Sequence, residues 1–246
     1  MKQAYRVPFE RNTDRTKELR RQFVLRIQEL DTANEIYEYI YMDEAGFNLV
    51  KRRRRARNII GQRAIVEVPG QRGGNITMCA AMNHHGIVHR HAHLGAYNTD
   101  LLLAFLDGLH NLLVPPDHVY DQQRVHFVVI WDNVSFHRAA RVQEWFQDHQ
   151  NVSVLYLPPY SPFLNPIEEF FSAWRWKVYE RNTQTRVTLL QAMEEACADV
   201  SPESCQGFMR HSRRFFQRCL DREDIAVDVD EALWPDRNQR HDGGGV

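Results

Sequence analysis

The sequence predicts an α/β domain with a mixed central sheet flanked by helices. Three observations carry this. The first half places several β-rich runs in succession, as in a meander. The second half alternates helical and strand patterns. One run, residues 125–131, is nearly all apolar, the mark of a strand covered on both faces. The 246 residues fit one large domain or one domain with extensions, and 43% hydrophobic residues are enough for a sizeable core.

Taken in order, residues 13–30 read as an amphipathic helix, with Leu19, Phe23, Ile27 and Leu30 at helical spacing. Residues 36–43, rich in Ile and Tyr, predict a strand that Asp43 closes. Residues 47–57 predict a turn with a basic tip. Residues 59–68 and 76–82 predict two more strands, with Gly70, Gly73 and Gly74 between them. A short strand is expected at 88–94. A helix at 100–113 carries the stripe Leu102, Phe105, Leu106 and Leu109, and Pro115-Pro116 ends it. After the buried strand come a helix at 138–149, a strand at 152–157 and a proline-rich loop at 158–166. A helix at 167–181 and two closing helices at 187–200 and 203–220 complete the pattern. Gly243, Gly244 and Gly245 mark a low-complexity end.

Charge is unevenly distributed. The formal net charge is −1, yet residues 51–57 hold six cations in seven positions: Lys51, Arg52, Arg53, Arg54, Arg55 and Arg57. Arg210, Arg213, Arg214 and Arg218 form a second basic group, and an acidic tail follows. The four cysteines have no paired spacing, which favours free thiols in a reducing compartment. No apolar stretch approaches the length of a membrane span, and the start lacks the apolar block of a secretory signal. A soluble intracellular protein is expected.

Three acids stand out by position. Asp43 and Asp132 close β-rich runs, and Glu168 opens a helix. Carboxylates from such places can converge, and converging carboxylates repel unless a cation lies between them. Hard divalent cations take oxygen ligands, and a pair of them suits phosphodiester chemistry. Each acid has a plainer reading. Glu168 can act in a capping box, reaching back to the N–H of Asn165 ahead of Pro166. Asp132 can form a turn with Asn133, with His137 adding a polar group to the same mouth. Asp43 and Glu44 are adjacent and face opposite sides of a strand, and parity does not choose between them. Glu169 competes with Glu168.

These residues sit in telling contexts: Asp43-Glu-Ala-Gly-Phe, then Trp131-Asp-Asn, then Ser161-Pro-Phe-Leu-Asn-Pro-Ile-Glu168. In this the chain resembles the catalytic domain of IS630/Tc1/mariner-type transposases, over roughly residues 36–180. Thirty-five residues separate Asp132 from Glu168, in keeping with that family's spacing. The resemblance implies an RNase H-like fold and makes Asp43, Asp132 and Glu168 a catalytic, metal-binding triad. It thereby selects Asp43 over Glu44 and Glu168 over Glu169. It implies Mg²⁺ or Mn²⁺, two ions with DNA bound, and DNA cleavage with strand transfer. It also implies DNA as partner, a homodimer, a separate helix-turn-helix protein, and no membrane. The compartment would be the nucleus in a eukaryote, or the cytoplasm and nucleoid in a bacterium. The expected division is a linker-like helical segment at 1–34, the catalytic domain at 35–181, closing helices at 182–220 and the acidic tail at 221–246. About 35 residues precede the first strand, so the helix-turn-helix modules of a complete transposase are expected to be missing.

The basic run at 51–57 reads as a phosphate-contacting tip. Arg175 and Lys177 are expected on or near the Glu168 face of its helix, within reach of the DNA backbone. His84, His85, His89, His91 and His93 fall within ten residues, and three of them share a strand face. They invite a zinc site, but have no carboxylate or thiol partner nearby in sequence. An alternative of a different class is a catalytically idle, domesticated module kept for DNA binding or protein interaction.

Overall fold

The fold grows from one long strand and the helices that cover its two faces. A computed structural model describes residues 7–47, 76–114, 125–181 and 186–226. Helix α1 (Asp14–Asp31) starts where the Thr13 side chain accepts the Thr16 N–H at 3.3 Å. It buries Arg20, Phe23, Val24, Ile27 and Leu30, with Leu19 only half-buried. Strands β1 (Tyr37–Phe47), β2 (Ile76–Asn83) and β3 (Gly86–Leu94) form the antiparallel meander. Helix α2 (Thr99–Leu113) is capped by Asn98. Strands β4 (His126–Trp131) and β5 (Val152–Tyr156) then join in parallel, giving the order β3-β2-β1-β4-β5. Helix α3 (Ala140–Asp148) connects them. Helices α4 (Ile167–Glu180), α5 (Arg186–Ala198), α6 (Pro202–Arg213) and α7 (Phe216–Leu220) follow.

Alternation along β1 feeds two cores. Tyr39, Tyr41, Ala45 and Phe47 share a cluster with Ile27 of α1, Phe170 and Trp174 of α4, and Met193 of α5. Ile40 and Met42 face the opposite cluster, with Leu102 and Phe105 of α2 and Val142 of α3. The expected mixed sheet between helical layers is therefore present, and no described helix is long and apolar enough to cross a membrane. All four cysteines are free and buried.

Several boundaries differ from expectation. β1 runs four residues past Asp43, because β2 continues to pair with it up to Phe47↔Ile76. The helix expected from 138 starts at Ala140. Ahead of it, a 3-10 turn at Ser135–Arg138 tucks His137 inside, and Ala139 is non-helical at ψ 141°. The single helix expected at 203–220 is broken. Arg214 and Phe215 bond back to His211 and Ser212 three residues earlier, and Phe215 packs 4.8 Å from the Phe163 ring. The strand expected at 59–68, the basic run, Pro115-Pro116 and the tail beyond 226 lie outside the described residues.

Candidate active site

Register brings the first two acids together. β1 and β4 pair in parallel up to Tyr41↔Ile130. Two residues further on each chain stand Asp43 and Asp132, side by side and on the same face. That is the face covered by α4, so Asp43 points toward Glu168 and Glu44 points away. The three acids line one open cavity of about 290 Å³, with Asn133, Asn165 and the loop Leu157 to Pro162. Burial pushes the Asp43 carboxyl well up from its usual range, and the charges of Glu168, Glu44 and Asp132 push it further.

Asp43 and Asp132 are each held from behind. Asp43 Oδ1 accepts the Glu44 N–H at 2.7 Å, and Oδ2 accepts Asn165 Nδ2 at 3.4 Å. His137, only 1% exposed, stacks on Trp131 at 3.7 Å. Its Nδ1 lies 2.5 Å from Asp132 Oδ1 and 3.3 Å from the Asp132 carbonyl. Its Nε2 lies 3.1 Å from Glu44 Oε2. Burial opposes the imidazolium, but bonding to Asp132 and Glu44 outweighs this and lifts its pKa to about 9. Glu44 thus takes a role beneath the site: it anchors the imidazole that braces Asp132.

Glu168 and Glu169 also separate. Glu169 meets His211 Nδ1 of α6 at 2.5 Å, whereas Glu168 faces the cavity. The Asn165 N–H, the donor that the capping box would use, donates instead to the Pro162 carbonyl at 2.8 Å. Arg175 stays on the Glu168 face and donates to the Gly46 carbonyl at 3.5 Å. Lys177 does not: nine residues from Glu168 it falls about 180° round the helix, and its charge acts on Asp199. Lys51, Arg52, Arg53, Arg54, Arg55 and Arg57 are outside the described residues.

One functional contact went unread in the sequence. Arg20, 1% exposed, donates from Nε to Ser161 Oγ at 2.8 Å and from Nη2 to the Tyr160 carbonyl at 3.0 Å. It also lies over the Phe163 ring at 5.2 Å. This clamp holds the proline-rich wall of the cavity, including Tyr160 in the left-handed region at φ 55°. The one available signal was an arginine on the apolar stripe of α1. The histidines of β3 are structural in this setting. His89 packs on Phe105 at 4.5 Å, and His91 Nδ1 lies 2.8 Å from the Tyr97 hydroxyl.

The profile described as DDE superfamily endonuclease matches residues 38–196. Among solved structures, the chain is similar to the Mos1 transposase paired-end complex with left transposon end. Identity is 19% and the TM-score 0.72, over 92% of this chain and 68% of that one. It is similar to the Mos1 Strand Transfer Complex at 18% identity and TM-score 0.71, over 92% and 66%. It is also similar to the catalytic domain of Mos1 mariner transposase, at 17% identity and TM-score 0.64, over 91% of this chain and 100% of that one. The chain thus spans about two thirds of the longer Mos1 chains. No curated protein matches it in sequence. At these identities the structural likeness establishes the fold, an RNase H-like α/β domain. The profile match covers well over half of the sequence, and the chain belongs to the DDE superfamily of endonucleases.

Proposed function

We propose that this chain is the catalytic domain of a mariner/Tc1-type DDE transposase, cleaving DNA strands and transferring them to target DNA. The observation that carries this reading is the convergence of Asp43, Asp132 and Glu168 on one cavity from β1, the end of β4 and the start of α4. The donor set fits hard divalent cations. It offers carboxylate oxygens, and Asn165 Oδ1 nearby is buried without a hydrogen-bond partner. The Asp43 carboxyl is raised first by burial and then by the charges of Glu168, Glu44 and Asp132, a repulsion that a cation would relieve. Asp43, Asp132 and Glu168 would hold Mg²⁺ or Mn²⁺, two ions once DNA phosphates complete the shell. Bound there, such ions neutralise the scissile phosphate and activate an oxygen nucleophile.

The protein's own part is positioning. Asn165 and the Glu44 N–H orient Asp43, the Glu44–His137 pair braces Asp132, and the Arg20 clamp sets the loop leading to Glu168. The basic residues Lys51, Arg52, Arg53, Arg54, Arg55 and Arg57, with Arg175, supply backbone phosphate contacts. Homodimer assembly, and recruitment by a separate helix-turn-helix protein, belong to the same proposal. Mos1 transposase forms complexes with a transposon end and with Mg or Mn, which supports the choice of partner and ion. The reading places the protein where DNA lies, in a nucleus or a nucleoid.

Nicking of supercoiled plasmid in Mg²⁺ and Mn²⁺ tests the proposal. Asp43→Ala, Asp132→Ala and Glu168→Ala should each lower the rate on the order of a thousandfold, the several kcal/mol that metal catalysis supplies. If Asp132→Ala cuts like the parent, the assignment is wrong. A parent chain that binds DNA but never nicks it would instead mark an idle module.

A further inference from the structure

A second group of metal-ligating side chains lies at the opposite end of the sheet. β2 and β3 are joined by the turn His84-His85, and Gly86 takes the chain back at φ +124°. Carrying the β1–β2 register onward from Tyr41↔Met82 sets His85 across from Glu38. The ligand atoms of Glu38, His84 and His85 all lie within 4.8 Å of one another. The carboxylate absent from the neighbouring sequence is supplied by β1.

The surroundings hold this group in place. Asn83, 5% exposed, donates from Nδ2 to Glu38 Oε1 at 2.5 Å. Its Oδ1 accepts the His85 N–H at 2.8 Å, tying the carboxylate to the turn. Gln206 of α6 donates to the His84 carbonyl at 3.1 Å and pins the turn from the other side. The backbone is therefore fixed, while both imidazoles are exposed and able to rotate. A cavity of about 310 Å³ opens beside His85 and Glu38, walled by Leu112, Leu113 and Phe127.

We infer that Glu38, His84 and His85 bind one zinc-class divalent cation, with the fourth position open toward this cavity. Two imidazoles and one carboxylate suit Zn²⁺, whereas Mg²⁺ takes oxygen octahedra. Metal–nitrogen bonds of about 2.0–2.1 Å in a tetrahedron ask for donors about 3.3 Å apart, a closure that two exposed rings can make. The site is separate from the three acids: Glu38 and Asp43 are five residues apart on β1, about 16 Å along the strand.

Calorimetric titration of the tag-free full chain with Zn²⁺, in excess Mg²⁺ to occupy the carboxylate site, tests the inference. Co²⁺ serves as the spectroscopic probe of nitrogen ligation. One Zn²⁺ per chain is expected, and His84→Ala and His85→Ala should each weaken binding at least about tenfold. Asn83→Ala, which frees Glu38, should also weaken it, by about 10-fold or more. Both histidine variants alter exposed turn residues and leave the fold intact, checked by circular dichroism. Zn²⁺ binding unchanged in both histidine variants, or absent at micromolar concentration, overturns the assignment.

Discussion

Arg20 is a cation removed from water and justified only by what it holds. Its partners include Ser161 Oγ and the Tyr160 carbonyl, 141 and 140 residues away, and Asn12 Oδ1 at 3.2 Å. Arg20→Met keeps the volume and apolar stem but leaves these acceptors beside an apolar end. A hydrogen bond to a charged group contributes about 1.5–3 kcal/mol, so a loss of about 3 kcal/mol is expected in urea unfolding. The variant should also nick more slowly than the parent under conditions where both stay folded, because the wall of the cavity is no longer fixed. An unfolding midpoint equal to the parent's would show that the clamp carries no stability. The same residue marks a limit of sequence reading. Periodicity placed α1 correctly but chose Leu19 for its stripe, since it weighs apolar residues and cannot see a polar partner across the chain. Spacing alone leaves Asp43 against Glu44 open for a related reason, and only the family resemblance chooses: alternation says that they face apart, while the face covered by α4 is a tertiary fact.

Between elements, close approach and charge pairing set the packing. A Cβ at Gly108 of α2 would stand 2.8 Å from His89 Nε2 on β3. Alanine is the better helix former by about 1 kcal/mol, yet overpacking costs about 1–3 kcal/mol. Gly108→Ala is therefore expected to destabilise the parent, and to stabilise a His89→Ala chain by up to about 1 kcal/mol. A double-mutant cycle reads both, and additive effects would refute the contact. On the other face, Arg213 of α6 donates to both oxygens of Asp31 at the end of α1, at 2.7 and 3.3 Å. Tyr39 of β1 donates to the same carboxylate at 2.8 Å. Burial raises the Asp31 pKa, but the bonds from Arg213 and Tyr39 outweigh it, and the folded value lies below 3.8. A depressed carboxyl pKa adds stability above the unfolded value and loses it as pH falls through the folded one. Asp31→Asn should thus cost about 1 kcal/mol at neutral pH, allowing for partial exposure, and nothing once pH is well below 3.8. A gap that persists in acid would rule out this linkage. The helices that did read clearly, α2 and α4, owe it to apolar stripes of long side chains. The break at 214–215 did not, because no proline or glycine marks it and only the pocket around Phe163 draws Phe215 inward.

For the whole molecule, the question is how a nearly neutral chain would hold the polyanion that the proposed function requires. A net charge of −1 gives no general attraction, so binding must come from local concentrations of cations. The densest is the run from Lys51 to Arg57, a few residues beyond the end of β1, the strand that carries Asp43. Arg175 sits at that same strand end, on Gly46. Each phosphate contact releases counterions and adds about 0.9 to the slope of log K against log salt. Changing Arg52, Arg53, Arg54 and Arg55 to Gln removes four charges, taking the formal net charge from −1 to −5. The slope for a random duplex, followed by fluorescence anisotropy over a range of KCl, should then fall by up to about 3.6. Arg175→Gln should lower it by about 0.9, and Asp132→Asn should leave it as it was while nicking is lost. That pattern separates holding DNA from cutting it. A slope that is unchanged when all four arginines are gone would move the DNA path to another face of the molecule, with Arg210 and Arg214 of the α6 region the next cations to replace.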